Sequence, residues 1–229
     1  MALILNIESS GKLCSVSLAE RGLTLSFRES VVDHSHSSVL VPSIDGVLKE
    51  AGKKITELDA VAVSDGPGSY TGLRIGSSTA KGICNALHIP LIAISTLQSL
   101  AYALKKKYPE RDHFVCIGDS RKDEIYLAVY DSELKEVMAP RPVNVDDIEE
   151  KNFAWKNAVR NAAAEEKLFV RNKFGNIAAD KIVRISALNM NMLSFIKFKS
   201  KDYKNLIYYE PLYLKHVYVK HGKKMPTIN

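Results

Sequence analysis

The stretch IESSGKLCSVSLAE (Ile7–Glu20) returns later in the chain in altered form, as IGDSRKDEIYLAVYD (Ile117–Asp131). A shift of 111 residues places Glu8 on Asp119 and keeps the following alternation of apolar and polar residues in step. Each copy is typical of a strand, a turn that holds an acidic residue and a serine, and a second strand with one buried face. An internal match of this kind predicts two structurally related halves.

Strands and helices alternate around the first copy, which is typical of an α/β fold. Arg21-Gly22 predicts a hairpin turn, and the chain beyond it predicts a third strand. Helices are expected over residues 37–51, 69–87 and 96–107, with strands over 59–64 and 90–95 between them. In the second half we expect a strand over Ile182–Ile185 and a helix over Ser186–Phe198. The predicted division is an N-terminal lobe over 1–108, a divergent C-terminal lobe over 109–222 and a basic, disordered tail over 223–229.

Charge is distributed unevenly along the 229 residues. The net charge is +6, but residues 1–150 carry −5 and residues 151–229 carry +11. A basic C-terminal part suits an RNA or an acidic protein surface, and a solvated basic face is the plainer alternative. The sequence holds neither the aromatic motif of an RRM domain nor a GXXG loop.

Composition places the chain among globular proteins of a reducing compartment. Hydrophobic residues make up 46% of the chain, and no apolar run approaches the roughly 18 residues that span a bilayer. The N-terminal Met1–Ile7 is predicted to be a first strand, since it lacks the pattern of a signal peptide. Cys14, Cys84 and Cys116 lie in apolar runs, which predicts buried free thiols and a cytoplasmic protein.

The glycine-rich stretch SDGPGSYTGLRIGSSTAKG (Ser64–Gly82) follows a predicted strand and begins a helix. A phosphate-binding Walker A loop requires Gly-Lys-Ser/Thr, and Gly72-Leu73-Arg74 stands there. The dinucleotide motif G-x-G-x-x-G fails as well, because the spacing is one residue too long. A general anion site at the helix N-terminus near Ser69 stays open.

The same glycines continue into the helix at intervals of four residues. Gly68, Gly72, Gly76 and Ala80 would form one strip without bulky side chains. Such a strip allows a second helix to approach closely. That helix can belong to this chain or to another one, and the sequence leaves both open.

Two further constellations could carry chemistry. In a two-lobed nucleotide-binding fold, the turns Glu8-Ser9 and Asp119-Ser120 would meet Mg²⁺ and phosphate; the plainer alternative is a strand-end turn that hydrogen-bonds its own backbone. Asp33, His34 and His36 lie before a helix, but two histidines only two residues apart do not have the spacing of a helical zinc site. We therefore predict no metal ligands and no catalytic residues.

Several motifs together resemble the bacterial TsaB family, also called YeaZ. They are LNIESSGKLCSVSLAE from Leu5, GPGSYTGLRIG from Gly66, IPLIAISTLQSLA from Ile89, the second acidic-serine copy from Ile117, and EPLYLK from Glu210. The resemblance covers residues 1–131 well and 208–215 weakly. It implies the duplicated actin-like ATPase fold (ASKHA, ribonuclease H-like), with two lobes of mixed sheet and flanking helices.

The resemblance further implies a non-catalytic subunit of the machinery that forms N6-threonylcarbamoyladenosine at position 37 of tRNA. The partners would be a catalytic TsaD-like subunit and a TsaE-like ATPase, with a homodimer when the protein is alone. Contact with tRNA would be indirect, through the complex, with no cofactor and no membrane association. The first two helices would bind TsaD through residues that we predict to be His36, Leu40, Ile44, Ser69, Tyr70, Thr71, Gly72, Arg74, Gly76, Thr79 and Ala80. A vestigial nucleotide site would comprise Glu8, Ser9, Gly68, Asp119 and Ser120.

Departures from the ATPases of this fold support that interpretation. Those proteins carry Asp at the first phosphate turn, where Glu8 stands here, and a glycine-rich adenosine motif in the second lobe, where Phe153–Asn161 has no glycine. TsaD also uses two histidines at a metal site, and this chain has no corresponding pair. The alternatives are an autonomous Mg-ATP-dependent ATPase or kinase, with Glu8 and Asp119 on the metal, and a glycoprotease-like metallopeptidase that uses Asp33, His34 and His36.

Overall fold

A computed structural model describes residues 2–31, 36–120, 123–148, 157–161, 174, 177–180 and 182–215, with only the backbone at His36. The predicted tail over 223–229 lies outside these residues, as do Asp33 and His34.

The first sheet has five strands in the order β3-β2-β1-β4-β5. The strands are β1 (Leu3–Glu8), β2 (Leu13–Glu20), β3 (Leu23–Val31), β4 (Ala60–Gly66) and β5 (Leu91–Ser95). β1 is antiparallel to β2 and parallel to β4. β1 lies at the centre of the sheet, and its six residues are all buried, which explains why four of them are apolar.

In the part of the chain that the structure describes, the second sheet has five strands in the order β10-β9-β6-β7-β8. They are β6 (His113–Asp119), β7 (Glu124–Asp131), β8 (Glu136–Asn144), β9 (Ala158–Asn161) and β10 (Ala178–Asp180). Read from β8, this order repeats that of the first sheet, with two antiparallel pairings followed by two parallel ones. The duplication predicted from the sequence is confirmed.

Among the described residues, four α-helices flank the sheets: α1 (His36–Glu50), α2 (Tyr70–Leu87), α3 (Thr96–Lys107) and α4 (Asn191–Lys199). The hydroxyl of Ser69 caps α2 by accepting from Gly72 N, and Ser95 caps α3 by accepting from Gln98 N. α1 and α2 pack on the first sheet around a core that includes Leu5, Val16 and Val63. Cys14, Cys84 and Cys116 are buried and free, as predicted.

The strand predicted at Ile182–Ile185 is wrong. The strand of this region, β10, ends at Asp180. Asp180 Oδ1 accepts hydrogen bonds from the backbone N–H groups of Ile182 (2.7 Å) and Val183 (2.6 Å), which turns the chain away from the sheet. Ile182 is left 76% exposed, so the apolar run does not correspond to a buried strand.

Candidate functional site

The glycine strip of α2 packs against the turn that follows β1. A Cβ added at Gly68 would overlap the carbonyl oxygen of Ser10, and one added at Gly72 or Gly76 would overlap Ser9. Two hydrogen bonds join the segments: Ser69 N donates to Ser10 O at 2.6 Å, and Ser9 Oγ donates to Gly72 O at 2.9 Å. The strip therefore serves a close contact inside the lobe, with a turn of the same chain, and the expected helix–helix contact along it is wrong.

Several residues predicted to contact a partner lie in the interior instead. Leu40, Ile44 and Ala80 belong to the core of the first lobe. Gly72 and Gly76 are buried against Ser9. Because these five residues expose little or no surface, they offer a partner protein almost nothing to contact. The mistake arose because helical spacing shows which residues share a face but not which way that face points.

The outward side of the same two helices remains available. Ser69, Thr71 and Arg74 are exposed, and Tyr70 and Thr79 are half-buried. α1 and α2 touch each other, so their outward sides adjoin. We call the combined surface the α1–α2 face. Its exposed residues are Ser38, Val41, Pro42, Asp45 and Lys49 on α1, and Thr71, Arg74, Ser78, Gly82 and Asn85 on α2.

The acidic-serine turn of the first lobe is closed on itself. Glu8 has no exposed surface, and its Oε1 accepts a 2.7 Å hydrogen bond from Ser10 N. Its Oε2 makes no hydrogen bond to any residue that the structure describes. Burial raises the pKa of Glu8 above its ordinary value, against the lowering effect of the hydrogen bonds from Ser10. A carboxyl group held in this way faces its own backbone rather than an open cleft.

The corresponding turn of the second lobe meets a lysine from the C-terminal part of the chain. Lys215 Nζ lies 3.0 Å from Ser120 Oγ and forms an ion pair with Glu124. The neighbouring Asp119 is exposed at the end of β6. The ammonium group of Lys215 therefore lies at the turn where a nucleotide-binding protein of this kind would hold Mg²⁺.

Residues 203–215, which we call the C-terminal strap, run across both lobes. The strap begins beside β5, where Lys204 N donates to Leu91 O at 2.8 Å. It then crosses the end of β4, where the Tyr209 hydroxyl donates to Asp65 Oδ1 at 3.0 Å. Because Lys215 reaches Ser120, the strap runs from the end of β4 in the first lobe to the end of β6 in the second. The sequence marked EPLYLK only as part of the resemblance and gave no sign of this course.

Aromatic contacts fasten the strap to the start of α2. The rings of Tyr70 and Tyr213 lie 4.9 Å apart, and the Arg74 guanidinium lies 4.1 Å from the centre of the Tyr70 ring. The strap also lies on the glycine loop, since a Cβ added at Gly66 would come close to Leu212 O. The first turn of α2 is thus covered by the chain itself on this side.

Within the described part of the chain, no three His, Cys, Asp or Glu side chains are grouped closely enough to hold a metal ion. Among the described helices, none is long and apolar enough to cross a membrane.

Solved structures place the two-lobed architecture in a known class. An uncharacterised Pseudomonas aeruginosa protein similar to the peptidase YeaZ superposes with a TM-score of 0.82 at 23% identity, over 94% of this chain and all of that one. The ADPNP-bound activator of 2-hydroxyisocaproyl-CoA dehydratase from Clostridium difficile gives a TM-score of 0.52 at 11% identity, over 89% of this chain and 98% of that one. The fold is the duplicated actin-like ATPase fold, as predicted.

The family follows from the sequence. Residues 30–221 match the family model described as TsaD, tRNA N6-adenosine threonylcarbamoyltransferase. The tRNA threonylcarbamoyladenosine biosynthesis protein TsaB of Haemophilus influenzae is 32% identical over 55% of this chain and 52% of its own length; that of Escherichia coli is 32% identical over 56% and 54%. Because the family model matches most of the chain, the chain belongs to the family that this model describes. The matches to TsaB proteins confirm the predicted resemblance to TsaB (YeaZ). It spans about half the length of the curated relatives that it matches.

Proposed function

We propose that this chain is a non-catalytic subunit that binds and activates a TsaD-type threonylcarbamoyltransferase in the cytoplasm. The reaction served would be the formation of N6-threonylcarbamoyladenosine at tRNA position 37. One observation carries the non-catalytic part: both turns that would hold a nucleotide are filled by the chain itself. Glu8 is buried against Ser10, and Lys215 stands at Ser120.

The α1–α2 face is the proposed docking surface. The exposed side of α2 carries small residues, namely Thr71, Ser78 and Gly82. Gly82 has open space where a Cβ would be. Small side chains allow the backbone of a partner helix to come close. On α1, Val41 is 60% exposed and supplies an apolar contact. In the absence of the catalytic subunit, the same face would pair two copies of this chain, and a TsaE-like ATPase would join the heteromeric complex.

The alternative of an autonomous Mg-ATP-dependent enzyme has weaker support. A phosphate bound at the start of α2 would need open backbone N–H groups, but Ser69 N already donates to Ser10 O, and Gly72 N donates to Ser69 Oγ. The metallopeptidase alternative depends on Asp33 and His34, which lie outside the described residues, so nothing in the structure favours it.

A binding measurement with the purified threonylcarbamoyltransferase of the same organism tests the docking surface. Ser78→Trp adds bulk to the exposed face and Arg74→Glu reverses its charge, so each should weaken binding about tenfold or more, in the range of an interface hot spot. Lys135→Glu, which changes an exposed residue between β7 and β8 of the other lobe, is the matched control and should bind like the wild type. Unchanged affinity in both α2 variants would refute the proposed surface.

A further inference from the structure

A tight turn in the strap holds two large side chains out into solvent. Asn205 Oδ1 accepts hydrogen bonds from the backbone N–H groups of Ile207 (3.0 Å) and Tyr208 (3.3 Å). The turn closes through Tyr209 N, which donates to Asn205 O at 2.9 Å. The turn is an Asx turn, in which the asparagine side chain accepts hydrogen bonds from the backbone N–H groups that follow it.

The residues on each side of the exposed pair are anchored to the first lobe. Leu206 packs against its core, and Tyr209 is buried there with its hydroxyl on Asp65. From α2, Lys81 Nζ donates to the carbonyl oxygen of Tyr209 at 3.1 Å. The turn is therefore fixed to the body of the protein on both sides of its tip.

The tip itself is apolar and open. Ile207 is 79% exposed and Tyr208 is 81% exposed. A single exposed apolar residue requires no explanation. Two adjacent exposed apolar residues on an anchored turn do require one. The residues on either side hold the turn in place, so burial of Ile207 and Tyr208 is not needed for the fold.

Lysines precede this tip along the chain. Lys199, Lys201 and Lys204 are exposed, while Lys197 is paired with Asp202 at 3.0 Å. Residues 195–210 hold four lysines and two acidic residues, and the second acidic residue, Glu210, is exposed just after the tip. We call the tip together with Lys199, Lys201 and Lys204 the basic-aromatic patch.

We propose that the basic-aromatic patch binds RNA directly, with a base stacked on Tyr208 and the lysines on backbone phosphates. A rigid aromatic platform beside positive charge is the arrangement that binds unpaired nucleotides. An acidic protein surface is the other candidate, but lysine is depleted in protein interfaces, whereas it is a regular phosphate ligand. This proposal rests on the proposed function only in its choice of tRNA as the RNA. It goes beyond the proposed function because this chain itself, and not only its partner, contacts the tRNA.

Fluorescence anisotropy with the 229-residue chain and a labelled, unmodified tRNA transcript tests the proposal. Tyr208→Ala should weaken binding about fivefold or more, since it removes one stacking platform, while Tyr208→Phe keeps the ring and should bind like the wild type. The double variant Lys199→Gln, Lys201→Gln should reduce the slope of log affinity against log salt by roughly 1 to 2. Lys135→Gln removes an exposed lysine from the second lobe and should leave the slope unchanged.

The proposal is overturned if the wild type does not bind the transcript, or if Tyr208→Ala and the double lysine variant bind it with wild-type affinity and salt slope. It is also overturned if Tyr208→Ala leaves RNA binding intact and abolishes binding of the threonylcarbamoyltransferase, because the patch is then a protein interface. The RNA titration contains no partner protein, so its failure is distinguishable from failure of the docking proposal.

Discussion

The hydroxyl of Ser9 donates a 2.9 Å hydrogen bond to the carbonyl oxygen of Gly72, across a contact that leaves no room for a side chain at position 72. The turn after β1 and the helix α2 thus hold each other in place. In an open nucleotide-binding cleft, these two segments would instead face a phosphate. Gly72 and Gly76 of α2 are therefore explained by packing within the lobe.

Gly72→Ala should destabilise the protein by roughly 1–3 kcal/mol, the usual cost of overpacking, because the new Cβ would overlap the Ser9 carbonyl oxygen. Gly82→Ala on the same helix is the matched control. Its Cβ meets open space, so the variant should gain about 0.5–1 kcal/mol from the loss of glycine flexibility. Urea unfolding of both variants measures the difference. A Gly72→Ala variant that unfolds like the wild type but loses partner binding would contradict the interior role of Gly72.

Glu8→Gln should remove a pH-dependent penalty on stability. Since the pKa of Glu8 is raised in the folded protein, the folded state holds its proton more tightly than the unfolded state does. The ordinary pKa of a glutamate side chain is about 4.5, and the free energy of unfolding falls as pH rises from that value through the raised pKa of the folded state. At pH values above the raised pKa, the ionised Glu8 therefore lowers the stability of the protein. Glutamine keeps an acceptor for Ser10 N but cannot ionise, so the variant should lose this decline.

Urea unfolding at a series of pH values from 4 to 8 measures this effect. Asp65, whose pKa is also raised by burial, changes stability in the same direction, but it is present in both proteins and cancels in the comparison. Parallel pH profiles for the wild type and Glu8→Gln would show that Glu8 does not have a raised pKa.

The isolated chain should not bind Mg-ATP, because Lys215 and the buried Glu8 occupy the two turns that would hold it. Isothermal titration calorimetry should therefore give no saturable heat. Saturable binding that Asp119→Asn abolishes would support an autonomous ATPase instead.

The fold could be predicted because its pattern is repeated. The match between the stretches at Glu8 and Asp119 indicated the duplication, and the two sheets have the same strand order. The prediction failed at Ile182, where one carboxylate of Asp180 turns the chain through backbone hydrogen bonds that hydrophobic periodicity does not detect. Local side-chain contacts of this kind override the tendency of an apolar run to form a strand.

The candidate site was predicted less well. The sequence placed the expected docking strip on Gly72 and Gly76, which the structure buries against Ser9, because four-residue spacing is equally compatible with an inward face. The meeting of Lys215 with Ser120 could not be foreseen, since the contact joins residues 95 positions apart in sequence. Contacts between distant segments depend on the tertiary fold, so a local sequence pattern does not predict them.

Reconstitution of the modification reaction tests the central claim most directly. The purified threonylcarbamoyltransferase is supplied with its small-molecule substrates, unmodified tRNA and the TsaE-like ATPase, with and without this chain, and N6-threonylcarbamoyladenosine is measured in the digested tRNA. We predict that the modified nucleoside forms only when this chain is present, and that the Ser78→Trp variant supports much less of it than Lys135→Glu. Equal yields with and without the chain would contradict the assignment of this protein as an activating subunit.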